Sequence, residues 1–316
     1  MNNKVIDKLQ PSYHKSFSVY DKLFKNTSIK SKLVFYIYLL PLLIMVILFG
    51  IWPIIKSIST SFTDSYSALS NTPKYIGLNN YAAAFKDSYF IDSLIITLKF
   101  TLISVPINIL LAFVFALALS SKILKYGRTF FKLAIFIPVI TSDLVVCIVW
   151  RWMFNSDLGA INAILSALHL PLFAGLASTK TVLIALGIVT LWKNVGLYTI
   201  IFLTNLQLID PALYEASDLD GANYFQRIRH ITIPELRPSI MLNSVYAIIQ
   251  YLKVFSVAKI MTQGGPNYAS NFVAYYAYDK FAASQFGEAT SMATILFILI
   301  IIIFAVTYWL NRMGIE

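Results

Sequence analysis

Three charged side chains fall inside long apolar runs of this chain: Asp143, Lys193 and Lys253. A charge near mid-bilayer costs at least about 2.5–3.5 kcal/mol on insertion scales, so such groups usually face a bundle interior or a wet cavity. Asp143 can neutralise one of the two lysines as a structural ion pair, or these groups can contact a solute; the sequence leaves both open. Amides and rings accompany them. Tyr246, Gln250 and Lys253 recur at i, i+4 and i+7 and so share one helical stripe. Trp192, Asn194, Tyr198 and Asn205 mix aromatic and amide groups in the apolar run before it. Ring faces cover the C–H surfaces of a sugar and amides pair with its hydroxyls. The interfacial aromatic belt accounts for some of the same rings, and is the better account of Trp150 and Trp152. Lys99, Arg151 and Lys259 lie within reach of an interface, where long side chains snorkel.

The elements that position these groups are apolar and long. Of 316 residues, 58% are apolar and only 13% charged, against about 25% charged in a soluble domain; mean hydropathy is +0.71. A helix needs about 20 apolar residues to cross the hydrocarbon core. Six segments qualify, near 33–55, 94–119, 133–154, 181–204, 240–261 and 289–310. The fold class expected is an all-α polytopic membrane helix bundle of about six spans, residues 33–316, behind a basic tail of residues 1–32. The first span begins too late and runs too long for a cleaved signal peptide. The tail suits either an amphipathic helix on anionic lipid or a solvated basic segment.

Fifteen of the 25 lysines and arginines fall on one side of this arrangement. They are Lys4, Lys8, Lys15, Lys22, Lys25, Lys30 and Lys32 in the tail, Lys122, Lys125, Arg128 and Lys132 after the second span, Arg227, Arg229 and Arg237 after the fourth, and Arg312 after the last. The positive-inside rule then places both termini in the cytoplasm. The same pattern explains the net charge of +10 without nucleic acid. A single cysteine, Cys147, excludes an internal disulfide, and three scattered histidines offer no HExxH site. There is no P-loop. No cofactor or metal is expected.

One polar connection is unusually well punctuated. From Asp210 to Pro238 it reads DPALYEASDLDGANYFQRIRHITIPELRP. Asp210 can cap a first short helix, with Pro211 in its first turn. Gly221 suits the left-handed position that ends that helix. Asn223 can cap a second, which Pro234 is expected to close. An ordered, amphipathic cytoplasmic helix pair wants a partner groove or, failing that, a membrane surface.

This loop resembles the EAA motif of ABC importer permeases, E-A-A-x3-G-x9-I-x-L-P. Glu215, Ala216, Gly221, Ile231 and Pro234 stand at the matching positions; Ser217 replaces the third small residue and Ile233 the leucine. The stretches Leu40–Asp64, Tyr75–Tyr81, Trp150–Asn162 and Thr262–Pro266 are similar to binding-protein-dependent sugar permeases of the maltose type. The resemblance implies a type I ABC importer permease architecture in a bacterial inner membrane. It implies a coupling helix seated in a cytoplasmic ATPase, with Glu215 meeting a basic residue there and Gly221 permitting the turn. It further implies a homologous second permease subunit, two ATPase copies that carry the only enzymatic activity, and an extracytoplasmic solute-binding protein. That protein would meet residues 60–92 and the Gly264–Gly265–Pro266 turn, in a cycle of alternating access.

Two other classes compete. An ion-coupled secondary transporter would show inverted repeats and unwound half-helices; no internal repeat is visible, and Asp143 is the one acid deep in a span. A membrane enzyme would need a catalytic cluster at one depth, and none is present. The expected solute is a sugar or oligosaccharide. An anionic solute, such as an acidic saccharide or sugar phosphate, is the sharper alternative, motivated by Lys193 and Lys253 outnumbering Asp143.

Overall fold

The computed structural model describes residues 29–65, 73–121 and 127–313, with side chains described from residue 35 to 309. Most of the basic tail, together with Lys122 and Lys125, lies outside the described residues, as does the side chain of Arg312. The chain divides into two compact units, residues 1–57 and 58–316.

Helix α1 (Ile29–Val46), a π turn (Ile47–Ile51) and α2 (Trp52–Ser61) follow one another, and 35–61 is long and apolar enough to cross a membrane. The second unit continues with α3 (Asn79–Lys86), α4 (Ser88–Ser120), α5 (Arg128–Ile140), α6 (Asp143–Met153), α7 (Ala160–Ala167) and α8 (Val182–Leu206). Then come α9 (Pro211–Leu219), α10 (Tyr224–Arg227), a π turn (Ile228–Thr232), α11 (Ile233–Glu235) and α12 (Arg237–Leu252). A π turn (Ala258–Thr262), α13 (Val273–Ala282) and α14 (Phe286–Met313) complete it. Among the described residues the only β-type pairing is a single bridge between Thr63 and Tyr75. The protein is an all-α membrane bundle.

About six spans were the expectation, and in the structure two of those segments are broken. Among the described residues, four helical stretches long and apolar enough to cross a membrane are unbroken, including α4, α8 and most of α14. The third expected span is instead α5 and α6, bent by 103° at Thr141–Ser142. Pro138 lacks an N–H one turn before the bend, and both Thr141 (ψ 140°) and Ser142 (ψ 137°) leave helical geometry. The fifth stops as α12 at Leu252, and helix resumes only at Ser256. No proline or glycine sits at this second break; it is held from other helices, as described below.

Packing follows the small residues. In lipid there is little hydrophobic drive between helices, so close contact and buried hydrogen bonds hold them. Helices α4 and α8 form the most extensive pair, with α12 across α4. Ala112 and Ala116 of α4, Ala185 of α8 and Ala247 of α12 are fully buried in the main core with Leu186, Tyr198, Phe202 and Tyr251. Gly196 lets α8 meet α5: a Cβ there would overlap the Ile135 carbonyl and press on Val139. Buried amides tie helices together. Asn108 of α4 donates to the Tyr251 hydroxyl (2.8 Å), and Asn243 of α12 to the Tyr198 carbonyl (3.3 Å). A second cluster, including Phe90, Val273 and Met292, joins α4, α13 and α14.

Candidate functional site

The two helix breaks meet. Asp143 opens α6, where a carboxylate is favoured by the helix dipole. Lys193, from the middle of α8, forms an ion pair with Asp143 and donates to the Thr141 carbonyl left open by the bend (3.2 Å). Ser256, from the restart after α12, donates its hydroxyl to the other Asp143 oxygen (3.1 Å). Arg151 of α6 donates to the Ile260 carbonyl (3.2 Å), so α6 and the restarted helix are joined twice. Irregular backbone at membrane depth is tolerated where it lines a polar cavity, and that is where it lies. A cavity of about 150 Å³ is lined by Asp143, Cys147, Thr190, Lys193, Asn194, Gln250, Lys253, Phe255 and Ser256.

Of the residues singled out in the sequence, Asp143, Lys193, Asn194, Gln250 and Lys253 line this one cavity. Tyr246 and Tyr198 do not. Tyr198 is fully buried in the core, with its ring edge-on to that of Tyr246 at 6.1 Å. Lys253 has left the helical stripe, since it stands at the turn that ends α12. Thr190, Phe255 and Ser256 were not singled out. The i+4 spacing of Thr190 to Asn194 was the available signal, and Asn194 indeed donates to the Thr190 carbonyl (2.9 Å). Lys259 is held over the Tyr278 ring at 3.7 Å rather than snorkelling freely. Among the described residues no three His, Cys, Asp or Glu side chains converge on a metal position.

The punctuated loop folds largely as its residues dictate. Asp210 accepts from the Ala212 N–H (2.9 Å). Gly221 adopts φ +72°. Its N–H reaches the Asp218 carbonyl (3.2 Å) and the Ala222 N–H the Ser217 carbonyl (3.0 Å), the paired closure of a Schellman motif. Asn223 and Gln226 form a reciprocal capping box. Arg227 is ion-paired with Asp218, which clamps the two helices. Pro234 does not close the second helix. The π turn at Ile228–Thr232 absorbs the proline, and the helix runs on to Glu235 before turning at Leu236. Glu215 and Ala216 are exposed, Ser217 is buried with its hydroxyl on the Tyr214 carbonyl, and Ile231 packs against the main core.

At the end of α4 that carries Asp87, the connections are also ordered. Asn80 donates to the carbonyls of Ser61 and Thr63 (both 2.8 Å), and Gly287 N–H to that of Ser65 (3.0 Å). Ser270 ties the Gly264–Gly265–Pro266 turn together through the Gly265 carbonyl and Thr262 hydroxyl. Tyr276 donates to Asp87 (2.6 Å), and Lys280 bridges Glu288 (3.0 Å) and Asp87 (3.7 Å). Burial, and then the Asp87 carboxylate, raise the Tyr276 phenol above its ordinary value.

A single-chain bundle with a polar cavity at two broken helices, and a clamped helix pair in the 210–238 connection, matches known proteins over most of its length. The multiple sugar-binding transport system permease protein MsmF of Streptococcus mutans is 32% identical over 264 residues, 83% of this chain and 90% of that one. The trehalose/maltose transport system permease protein MalF of Thermococcus litoralis is 29% identical over 84% of this chain and 89% of that one. A chain from the solved structure of a bacterial ABC transporter that imports the acidic polysaccharide alginate superposes with a TM-score of 0.80 at 22% identity, over 92% of this chain and 98% of that one. Residues 81–313 match the family described as binding-protein-dependent transport system inner membrane component. The chain belongs to that family.

Proposed function

We propose that this protein is the membrane subunit of an ATP-driven importer and takes up a carbohydrate handed over by an external solute-binding protein. Family membership supplies the coarse frame: a multi-pass inner-membrane component that works with a solute-binding protein and a separate ATPase, and is not itself an enzyme. The carbohydrate is inferred from the cavity, with support from the sugars named for MsmF and MalF. The observation that carries it is the polar inventory left open there. The Gln250 amide has no partner among the described residues, and Asn194 keeps its carbonyl oxygen free. Unpaired amides facing a wet cavity suit hydroxyl groups.

In this reading residues 1–32 and the 210–238 loop face the cytoplasm, as do both termini. Glu215, Ala216, Ser217, Gly221, Ile231 and Pro234 form the plug in an ATPase cleft, with exposed Glu215 meeting a base. A homologous permease completes the pore, and two ATPases drive it. Residues 60–92 and the Gly264–Pro266 turn receive the binding protein. ATP-driven closure biases the bundle between outward and inward openings only because solute and ATP favour the same arrangement. The unwound helices that would have marked an ion-coupled transporter are present, yet the one acid among them, Asp143, is occupied by Lys193 and Ser256, which leaves no free carboxylate there for a proton or sodium ion.

The test is reconstitution of the assembled transporter in proteoliposomes with its binding protein. ATP-dependent accumulation of a radiolabelled oligosaccharide is expected, abolished by a hydrolysis-deficient ATPase. Accumulation driven by an ion gradient without ATP would overturn the reading.

A further inference from the structure

We infer that Lys253 is a specificity residue that selects solutes carrying one anionic group, such as a uronate or a phosphosugar. The inference deepens the carbohydrate reading above and rests on it.

The argument is a charge account of one cavity. Lys193 and Asp143 cancel as an ion pair. Each partner also has a second bond: the Lys193 ammonium has the Thr141 carbonyl, and the Asp143 carboxylate has the Ser256 hydroxyl. The excess of two lysines over one acid therefore resolves into a structural pair and one remaining cation. Lys253 lines the same cavity, is exposed, and its ammonium has no ion pair, hydrogen bond or ring contact among the described residues. By contrast Lys259, Arg151 and Lys280 each have a protein partner.

The fold also explains how an unpaired ammonium stays there. Lys253 terminates α12, where a cation is favoured by the helix dipole. Its own N–H closes on the Ile249 carbonyl. The site thus needs no carboxylate of its own, and the counter-charge is left to the solute. Gln250, three residues earlier, and Asn194 offer the neutral donors and acceptor that a sugar hydroxyl requires. A charged group paired to an ammonium and a hydroxyl paired to an amide, side by side, describe a hydroxylated solute with one anionic group.

The test uses the detergent-purified permease–ATPase complex without its binding protein, so that the receptor's own preference does not intervene. Calorimetric titration with D-glucose, D-glucuronate and D-glucose 6-phosphate reads the cavity directly. D-glucuronate or D-glucose 6-phosphate is expected to bind about three- to ten-fold tighter than glucose, a range typical of a solvent-accessible charged contact. The preference should shrink with added salt. Lys253→Gln should abolish it, bringing the anionic ligands to the level of glucose, and Lys253→Arg should retain it. Equal affinity for all three ligands, or a preference that survives in Lys253→Gln, overturns the inference and leaves the carbohydrate reading standing. Loss of glucose binding in Lys253→Gln overturns it too, since Lys253 would then serve assembly or a partner's acid. Failure of every ligand to bind overturns both.

Discussion

Replacing Gly221 by alanine tests the coupling loop with a penalty that the geometry fixes. Gly221 sits at φ +72°, and nothing lies within 4 Å of the place its Cβ would occupy. The substitution therefore brings no collision, only conformational strain. An L-residue in the left-handed region costs roughly 1–2 kcal/mol, and asparagine is among the few side chains that visit it readily. The strain falls on two bonds, Gly221 N–H to Asp218 and Ala222 N–H to Ser217. A shift of that size enlarges the open population about 5–30-fold. Hydrogen exchange on the purified subunit measures it. In Gly221→Ala the amides of residues 221 and 222 should exchange about 5–30-fold faster, in Gly221→Asn no more than a few-fold faster, and the buried α8 amides at the parental rate. Alanine and asparagine variants that both exchange like the parent would refute the Schellman closure as the element that sets this turn.

Three further outcomes are expected. Glu215→Ala should leave the subunit folded and weaken ATPase association and uptake; pull-down and transport at parental levels would remove Glu215 from the interface. Asp143→Asn and Lys193→Met should each destabilise the bundle, and the double mutant should lose less than their sum by about 1 kcal/mol. The pair is half exposed on the Asp143 side, between the surface and buried regimes; strict additivity in thermal unfolding would argue against the ion pair. Gly196→Ala should cost roughly 1–3 kcal/mol through overpacking against α5, and a parental melting temperature would contradict that close approach.

Local chemistry is legible in this sequence and tertiary chemistry is not. The caps at Asp210, Gly221 and Asn223 could be read because each acts on a backbone group two to five residues away. Likewise the apolar runs announce membrane helices by length alone. Yet the break after Leu252 has no local cause in Lys253-Val254-Phe255; it is stabilised by Ser256 and Ile260 meeting α6, more than 100 residues earlier in the chain. Tyr198 reads as a solute-facing ring by type, and burial against α12 makes it a packing residue. Pro234 reads as a stop because a regular helix would end there, and a π turn, invisible to composition, carries the chain past it.

Helix α4 has 33 residues, so at 1.5 Å per residue it is about 50 Å long, well beyond a hydrocarbon core of about 30 Å. One continuous rod therefore joins two distant contacts: the Asp87 carboxylate held by Tyr276 at its start, and the Ser120 carbonyl held by Arg128 at its finish. Any tilt imposed at one tip must sweep the other by a comparable distance, with Pro106 the one interior residue that lacks a backbone donor to resist bending.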